Sequence, residues 1–245
     1  MKRYALIGKR LGHSYSQRWF EGLFARLGLM DHTYTLQEMA SLDGLREWVR
    51  REGICGFNVT VPYKQEVLRY LDAVDETAAA IGAVNCVTVE GGRLVGHNTD
   101  APAFRQSLEN TGWQVKQAFI LGTGGAARAV AYALKQMGIP FMFVSRNPVG
   151  ENQIGYYQLS TFNLQLSTLL VNATPVGMYP NVDAMPLPEN FQFSIFNFQF
   201  LFDLIYNPSP TRLMHEVATH GAQTKDGLEM LHLQAEMNWE LFQQC

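Results

Sequence analysis

The sequence predicts an α/β fold in two domains, and three observations predict it. Short apolar runs of strand length alternate with segments whose apolar residues recur at helical spacing, the pattern of sheets covered by helices. A glycine-rich turn from Gly122 to Ala127 joins one such run to one such segment. A polar break at Asn98, Thr99, Asp100, Ala101 and Pro102 sets that part of the chain apart from a complete α/β set before it. At 245 residues, 47% of them hydrophobic, the chain is long enough to bury two cores.

Taken in order, Tyr4 to Gly8 reads as a first strand and Gln17 to Leu27 as the helix after it. Thr33 to Leu36 is a second strand, Leu42 to Glu52 an amphipathic helix, and Gly56 to Val61 a β-rich run stopped by Pro62. That alternation predicts a parallel sheet with helical crossovers. Lys64 to Ile81 gives two helical stretches, and Ala83 to Val89 pairs with Arg93 to Gly96 as a hairpin across Glu90, Gly91 and Gly92. Asp100 reads as the N-cap of a helix through Asn110, with Pro102 in its first turn. Beyond it, strand Ala118 to Leu121, helix Ala126 to Met137 and strand Phe141 to Val144 form a βαβ unit. Leu169 to Asn172 and Phe200 to Leu204 are further strands, and Leu228 to Phe242 is a last helix after Gly227.

Several function classes are excluded by composition. A net charge of -3 from 22 acidic and 19 basic residues, with no block of like charge, predicts neither nucleic-acid nor membrane binding. Three cysteines, Cys55, Cys86 and Cys245, lack metal-ligand spacing and suit a reducing compartment, so no metal is expected. The opening MKRYALIGKRLGHS has only the short apolar run YALI, and Phe191 to Ile205 is broken by Asn197, Gln199 and Asp203. The first is no signal peptide and the second reads as buried strand, so a cytoplasmic protein is expected.

In ILGTGGAARA, Gly122, Gly124 and Ala127 make the GxGxxA arrangement between a strand and a helix. Gly122 permits the tight turn, Gly124 lets the backbone approach a pyrophosphate, and Ala127 lets the helix lie close to the strand. This predicts dinucleotide binding. The acidic residue that NAD-binding versions carry about 20 residues on is replaced here by Ser145, Arg146 and Asn147. A guanidinium there suits a 2′-phosphate, which predicts NADP over NAD, the other reading being a solvated surface arginine.

Three polar clusters precede that turn. Gly12, His13, Ser14, Tyr15 and Ser16 place two hydroxyls at a helix start, a site for a carboxylate, unless Ser16 is simply the N-cap. Asn58, Thr60 and Lys64 bracket a strand end, where ligands of α/β sheets sit, although a lysine there is also often solvated. Asn85 joins Asn98, Thr99 and Asp100 as the third cluster. Reduction of a ketone needs a proton for the developing alkoxide, and a lysine near an aspartate supplies and orients one.

Together these strings resemble the shikimate dehydrogenase family over almost the whole chain. The matching strings are Gly8 with His13, Ser14 and Ser16; GFNVTVPYK; IGAVNCV; GHNTD; GTGGAARA; Ser145 with Arg146; NATPVGM; DLIYNPSPT; and GLEML with Gln234. The resemblance implies a reversible NADPH-dependent reduction of 3-dehydroshikimate to shikimate, in chorismate and aromatic amino acid biosynthesis. It implies Lys64 as general acid/base with Asp100 as its partner, Ser14, Ser16 and Tyr206 at the substrate carboxylate, and Thr60, Asn85 and Gln234 at ring hydroxyls. Gly122, Gly124, Gly125, Ala126, Ala127, Ser145, Arg146 and Asn147 would bind the cofactor, with Glu76, Leu204, Gly227 and Met230 near it. The implied architecture is a substrate-binding catalytic domain over 1–99 with the C-terminal helix 228–245, and a Rossmann-like NADP-binding domain over 100–227. A small-molecule enzyme, monomer or homodimer, is expected. The alternative is a quinate/shikimate dehydrogenase using NAD, against which the presence of both Ser14 and Ser16 speaks.

The chain departs from the family pattern in places. Gln17, Phe20 and Glu21 replace a usual proline, histidine and asparagine, and Ser145 and Asn147 replace the asparagine and threonine that usually flank the arginine. Only 25 residues separate Arg146 from Asn172, so the second domain is expected to be shortened around 147–168. A crossover helix is then missing or reduced, with Tyr156, Tyr157 and Phe162, or another subunit, covering one sheet face.

Overall fold

The computed structural model describes residues 1–12, 14–159, 167–188, 191 and 198–244. His13, Ser160, Phe162, Cys245 and part of the run from Phe191 to Ile205 lie outside the described residues. The chain divides into two compact units, Met1–Asp100 with Leu233–Cys245, and Ala101–His232.

The first unit holds strands β1 (Lys2–Gly8), β2 (His32–Glu38), β3 (Ile54–Val59), β4 (Ala73–Val74), β5 (Cys86–Glu90) and β6 (Arg93–His97) in the order β2-β1-β3-β5-β6-β4. Residues of β1 alternate between two cores. Ala5 and Ile7 join Trp48, Val49, Phe57 and Val59 on the side of α2 (Leu45–Glu52). Tyr4 and Leu6 join Phe20, Phe24, Trp239 and Phe242, from α1 (Tyr15–Leu27) and the end of α8 (Leu228–Phe242), on the other side. Both faces are therefore buried, and β1 is apolar from Tyr4 to Ile7, after Lys2 and the exposed Arg3. Gly56 is required for that second packing, because a Cβ there would come within 2.5 Å of the Phe242 ring.

β1 pairs in parallel with β2 and β3, as the alternation predicts, and β5 and β6 form the expected antiparallel hairpin; β5 is also antiparallel to β3, so the sheet as a whole is mixed. The tight Glu90–Arg93 connection explains the hairpin, since so short a link joins only antiparallel strands. One expectation for this unit is corrected. Between Lys64 and Ile81 the chain forms a 3-10 helix (Glu66–Tyr70), then β4, then α3 (Glu76–Ile81), not two plain helices. The backbone of Asp72 and Asp75 donates to Leu94 and Gly96, so the edge of β6 recruits this stretch as strand.

The second unit is a parallel sheet in the order β12-β11-β10-β7-β8-β9. Its strands are β7 (Gln117–Leu121), β8 (Phe141–Ser145), β9 (Gln153–Gly155), β10 (Thr168–Asn172), β11 (Phe198–Asp203) and β12 (Gln223–Lys225). Helices α4 (Asp100–Glu109), α5 (Gly125–Gln136), α6 (Tyr156–Leu159) and α7 (Arg212–Thr219) accompany it. β9, α6, α7 and β12 were not expected from sequence; β9, α6 and β12 are too short to show a period of their own, whereas the eight residues of α7 carry one in Leu213, Met214 and Val217. The described crossover after β8 is reduced to β9 and the four residues of α6. Tyr156 packs on the core, whereas Tyr157 is 83% exposed and does not take the covering role expected of it.

Candidate active site

Lys64 is fixed through its backbone and neighbours. Beside it, the buried Tyr63 hydroxyl donates to the Met39 carbonyl at 2.6 Å, and the Lys64 carbonyl accepts from the Val84 N–H at 2.7 Å. The side chain is then directed at Asp100, with Nζ donating to Oδ2 at 2.6 Å. Only 16% of the lysine side chain and 8% of the aspartate are exposed. Removing one partner from so dry a pair strands the other charge, which makes the pair a strong constraint on geometry.

Asp100 does not cap its helix as expected. Instead α4 begins at Asp100 itself, and its two carboxylate oxygens are held by Lys64 and by Asn85, whose Nδ2 donates to Oδ1 at 2.8 Å. Asn85 is in turn gripped on three sides. Its Nδ2 donates to Thr99 Oγ1 at 2.8 Å, its Oδ1 accepts from the Thr99 N–H at 2.8 Å, and its carbonyl accepts from Asn58 Nδ2 at 3.2 Å. Asn58 Oδ1 accepts from Tyr34 at 2.8 Å, and burial, with Cys86 nearby, pushes the Tyr34 phenol well above its ordinary value. It stays a donor. Thr99 Oγ1 donates to the fully buried Asn238 at 2.7 Å, and Asn238 Nδ2 donates to Gln234 at 2.8 Å.

Thus Lys64, Asn85, Asp100 and Gln234 are parts of one network within the first unit. Asn238 completes it and was missed from sequence; the signal was its position four residues after Gln234, on the same helical face. Ser14, not Ser16, is the N-cap of α1: its Oγ accepts from the Ser16 N–H at 3.2 Å. Thr60 stands at the end of β3, its methyl so near Gly8 that a Cβ there would lie 2.7 Å away. Glu76 opens α3 directly after the cap Asp75 and is not a member of the network.

In the second unit Gly122 has φ +99°, and a Cβ would meet the Thr174 methyl at 3.1 Å. Only glycine suits both demands. Gly124 is the N-cap of α5 with no side chain capping it and open space beside it. The first amides of a twelve-residue helix, at Gly125, Ala126 and Ala127, are left for an anion, as a pyrophosphate requires. Ser145 Oγ accepts from the Asn147 N–H at 3.2 Å, and Arg146 is exposed at the end of β8. Leu204 and Gly227 are in direct backbone contact, leaving no room for a Cβ on Gly227, and Met230 is buried one turn on. Tyr206 lies just past β11.

A second buried network underlies this turn. Asp203, with no exposed surface, accepts from Thr211 Oγ1 at 2.7 Å, the Ile205 N–H at 3.0 Å and Asn172 Nδ2 at 3.0 Å. Burial still dominates those bonds and pushes its carboxyl up to about 6. Asn172 Oδ1 accepts from Thr174 N and Oγ1 at 3.1 and 2.7 Å, so the network reaches the methyl that packs on Gly122. NATP and DLIYNPSPT each end an apolar run in a polar residue, the signal that these two ends meet. Among the described residues there is no cluster of three or more metal-ligating side chains and no helix long and apolar enough to cross a membrane.

The family described as shikimate dehydrogenase substrate binding domain matches residues 6–87. A shikimate dehydrogenase (NADP(+)) of Caldicellulosiruptor saccharolyticus is 36% identical over 254 aligned residues, which cover 96% of this chain and 90% of that protein. The crystal structure of shikimate dehydrogenase 1 from Peptoclostridium difficile is similar with a TM-score of 0.89 and 36% identity, over 100% of this chain and 92% of that one. Shikimate 5-dehydrogenase of Thermus thermophilus, in complex with NADP(H) and shikimate, gives a TM-score of 0.85 and 34% identity over 100% and 94% of the two chains.

Proposed function

The chain belongs to the shikimate dehydrogenase family, and on that premise we propose that it catalyses the reversible NADPH-dependent reduction of 3-dehydroshikimate to shikimate. The observation that carries the reading is the Lys64–Asp100 pair at 2.6 Å, with Asn85 holding the second carboxylate oxygen. A mere surface ion pair would have no such buried support. NADPH, when bound, supplies the hydride. Lys64 delivers a proton to the ring oxygen that becomes the new hydroxyl, and in the reverse direction accepts it. Asp100 keeps the ammonium aimed and the local charge balanced, while Asn85, Thr60 and Gln234 are proposed to contact ring hydroxyls.

Ser14 and Ser16 are proposed to hold the substrate carboxylate. As a cap, Ser14 uses a lone pair on the Ser16 N–H and keeps its own O–H for a ligand, so the two roles are compatible. For Tyr206 the same role is proposed. The amides of Gly124 to Ala127 and the Gly122 turn are proposed to cradle the pyrophosphate, Ser145, Arg146 and Asn147 the 2′-phosphate, and Leu204, Gly227, Met230 and Glu76 to lie near the cofactor. On this reading 1–99 with 228–245 is the substrate domain and 100–227 the nucleotide domain, in a cytoplasmic monomer or homodimer.

The deciding measurement is the appearance of reduced nicotinamide absorbance with shikimate and NADP⁺, repeated with quinate and with NAD⁺. Turnover is expected with shikimate and NADP⁺ above all. Absence of turnover with shikimate under either cofactor would sink the reading.

A further inference from the structure

The strands β8 and β9 run parallel in register, Phe143 beside Gln153, Val144 beside Ile154 and Ser145 beside Gly155. Immediately past the carboxyl ends of these strands stand Arg146 and Tyr156. Tyr156 begins α6, and its ring packs against the core that contains Val144, Ile154 and Leu159. Its hydroxyl has no hydrogen-bond partner among the described residues. Arg146 is exposed beside it and likewise makes no ion pair among them. Burial pushes the phenol up against the opposing pull of the Arg146 guanidinium, so the hydroxyl stays a donor.

We propose that Tyr156 is a specificity-determining residue for the dinucleotide, its hydroxyl donating to the 2′-phosphate that Arg146 pairs with. The inference rests on Arg146 as the 2′-phosphate ligand. Its physical logic is addition. Beside Arg146, Ser145 Oγ accepts the Asn147 N–H at 3.2 Å and keeps its own O–H for a ligand. The shortened crossover brings a new hydroxyl to the same edge, on a ring anchored in the core. A donor so anchored gives up little freedom when it binds, and a hydrogen bond to a phosphate oxygen is among the stronger ones. It discriminates between dinucleotides because a ribose 2′-hydroxyl offers no charge to answer it.

The test compares dissociation constants of 2′,5′-ADP and 5′-AMP by titration calorimetry, for the wild type, Tyr156→Phe and Arg146→Ala. Phenylalanine keeps the ring on the core, so the comparison reads the hydroxyl alone. The wild type is expected to prefer 2′,5′-ADP, Tyr156→Phe to cut that preference by about tenfold, and Arg146→Ala to cut it further. An unchanged preference in Tyr156→Phe, or equal weakening of both ligands, overturns the inference while leaving Arg146 in place. No preference in the wild type overturns the role of Arg146 and this inference together, whereas activity with shikimate is scored separately.

Discussion

Lys64 spends one of its three N–H bonds on Asp100, so it approaches a substrate already oriented and still able to give a proton. Lys64→Ala is therefore expected to lower kcat by about 10²-fold or more with KM within a few-fold. A large rise in KM at unchanged kcat would make the lysine a binding residue instead. Asn238 acts further back. Asn238→Ala leaves Thr99 and Gln234 without the group that joins them and is expected to cost about 1–3 kcal/mol in urea unfolding, with KM for shikimate raised more than kcat is lowered. Unchanged kinetics in a folded Asn238→Ala enzyme would confine the residue to a structural part. The two cases also mark what a sequence reveals at this scale. Lys64 and Asp100 stand in GFNVTVPYK and GHNTD, strings that single them out only through the family resemblance, whereas Asn238 lies in a helix where one more polar residue between Met237 and Trp239 looks like surface. Its burial follows from packing across the fold, which local pattern does not encode. Asp100 errs in the opposite sense: a helix-start aspartate predicts a cap, but α4 begins at Asp100 itself and its two oxygens accept from Lys64 and Asn85.

At the level of elements, legibility follows length and periodicity. β1, α2, β7 and α5 are long or regular enough to be read within a few residues of their observed bounds. β4, α6 and β12 have two to four residues each and exist because an open sheet edge or a core pocket is at hand. The carboxyl ends of β10 and β11 are a different case, since their chemistry lies in how Asn172 and Asp203 meet. The folded protein raises the Asp203 carboxyl from its ordinary value to about 6, so the folded state binds that proton more tightly than the unfolded chain. The contribution is present below pH about 4 and is lost as pH rises to about 6, to the extent of about 3 kcal/mol. Urea unfolding across that interval should show wild type losing stability relative to Asp203→Asn as pH rises. Parallel curves for the two proteins would show that Asp203 titrates normally. On the neighbouring strand, Gly122→Ala is expected to cost about 1–3 kcal/mol, because it forces a side chain into φ +99° against the Thr174 methyl. It should weaken NADP⁺ binding as well, which calorimetry would read.

Across the whole molecule, the chemistry is divided between the two compact units. The buried network of Lys64, Asn85, Thr99, Asp100 and Asn238 belongs wholly to Met1–Asp100 with Leu233–Cys245. The Gly122 turn, the free amides of α5, Arg146 and the Asp203 network belong wholly to Ala101–His232. Each unit thus has its own core and its own set of unsatisfied donors, and each is expected to answer its own ligand. Hydrogen exchange gives the means to see this, since a ligand that bonds to backbone amides or closes the structure around them slows their local opening. NADP⁺ alone should slow exchange from Gly124 to Arg128 and from Ser145 to Asn147, with little change around Lys64. Shikimate alone should slow it from Asn58 to Lys64 and from Asn98 to Asp100, with little change at the glycine turn. Protection of the same unit by both ligands, each given alone, would show that one unit holds both sites and would end the division of labour proposed for 1–99 with 228–245 and for 100–227.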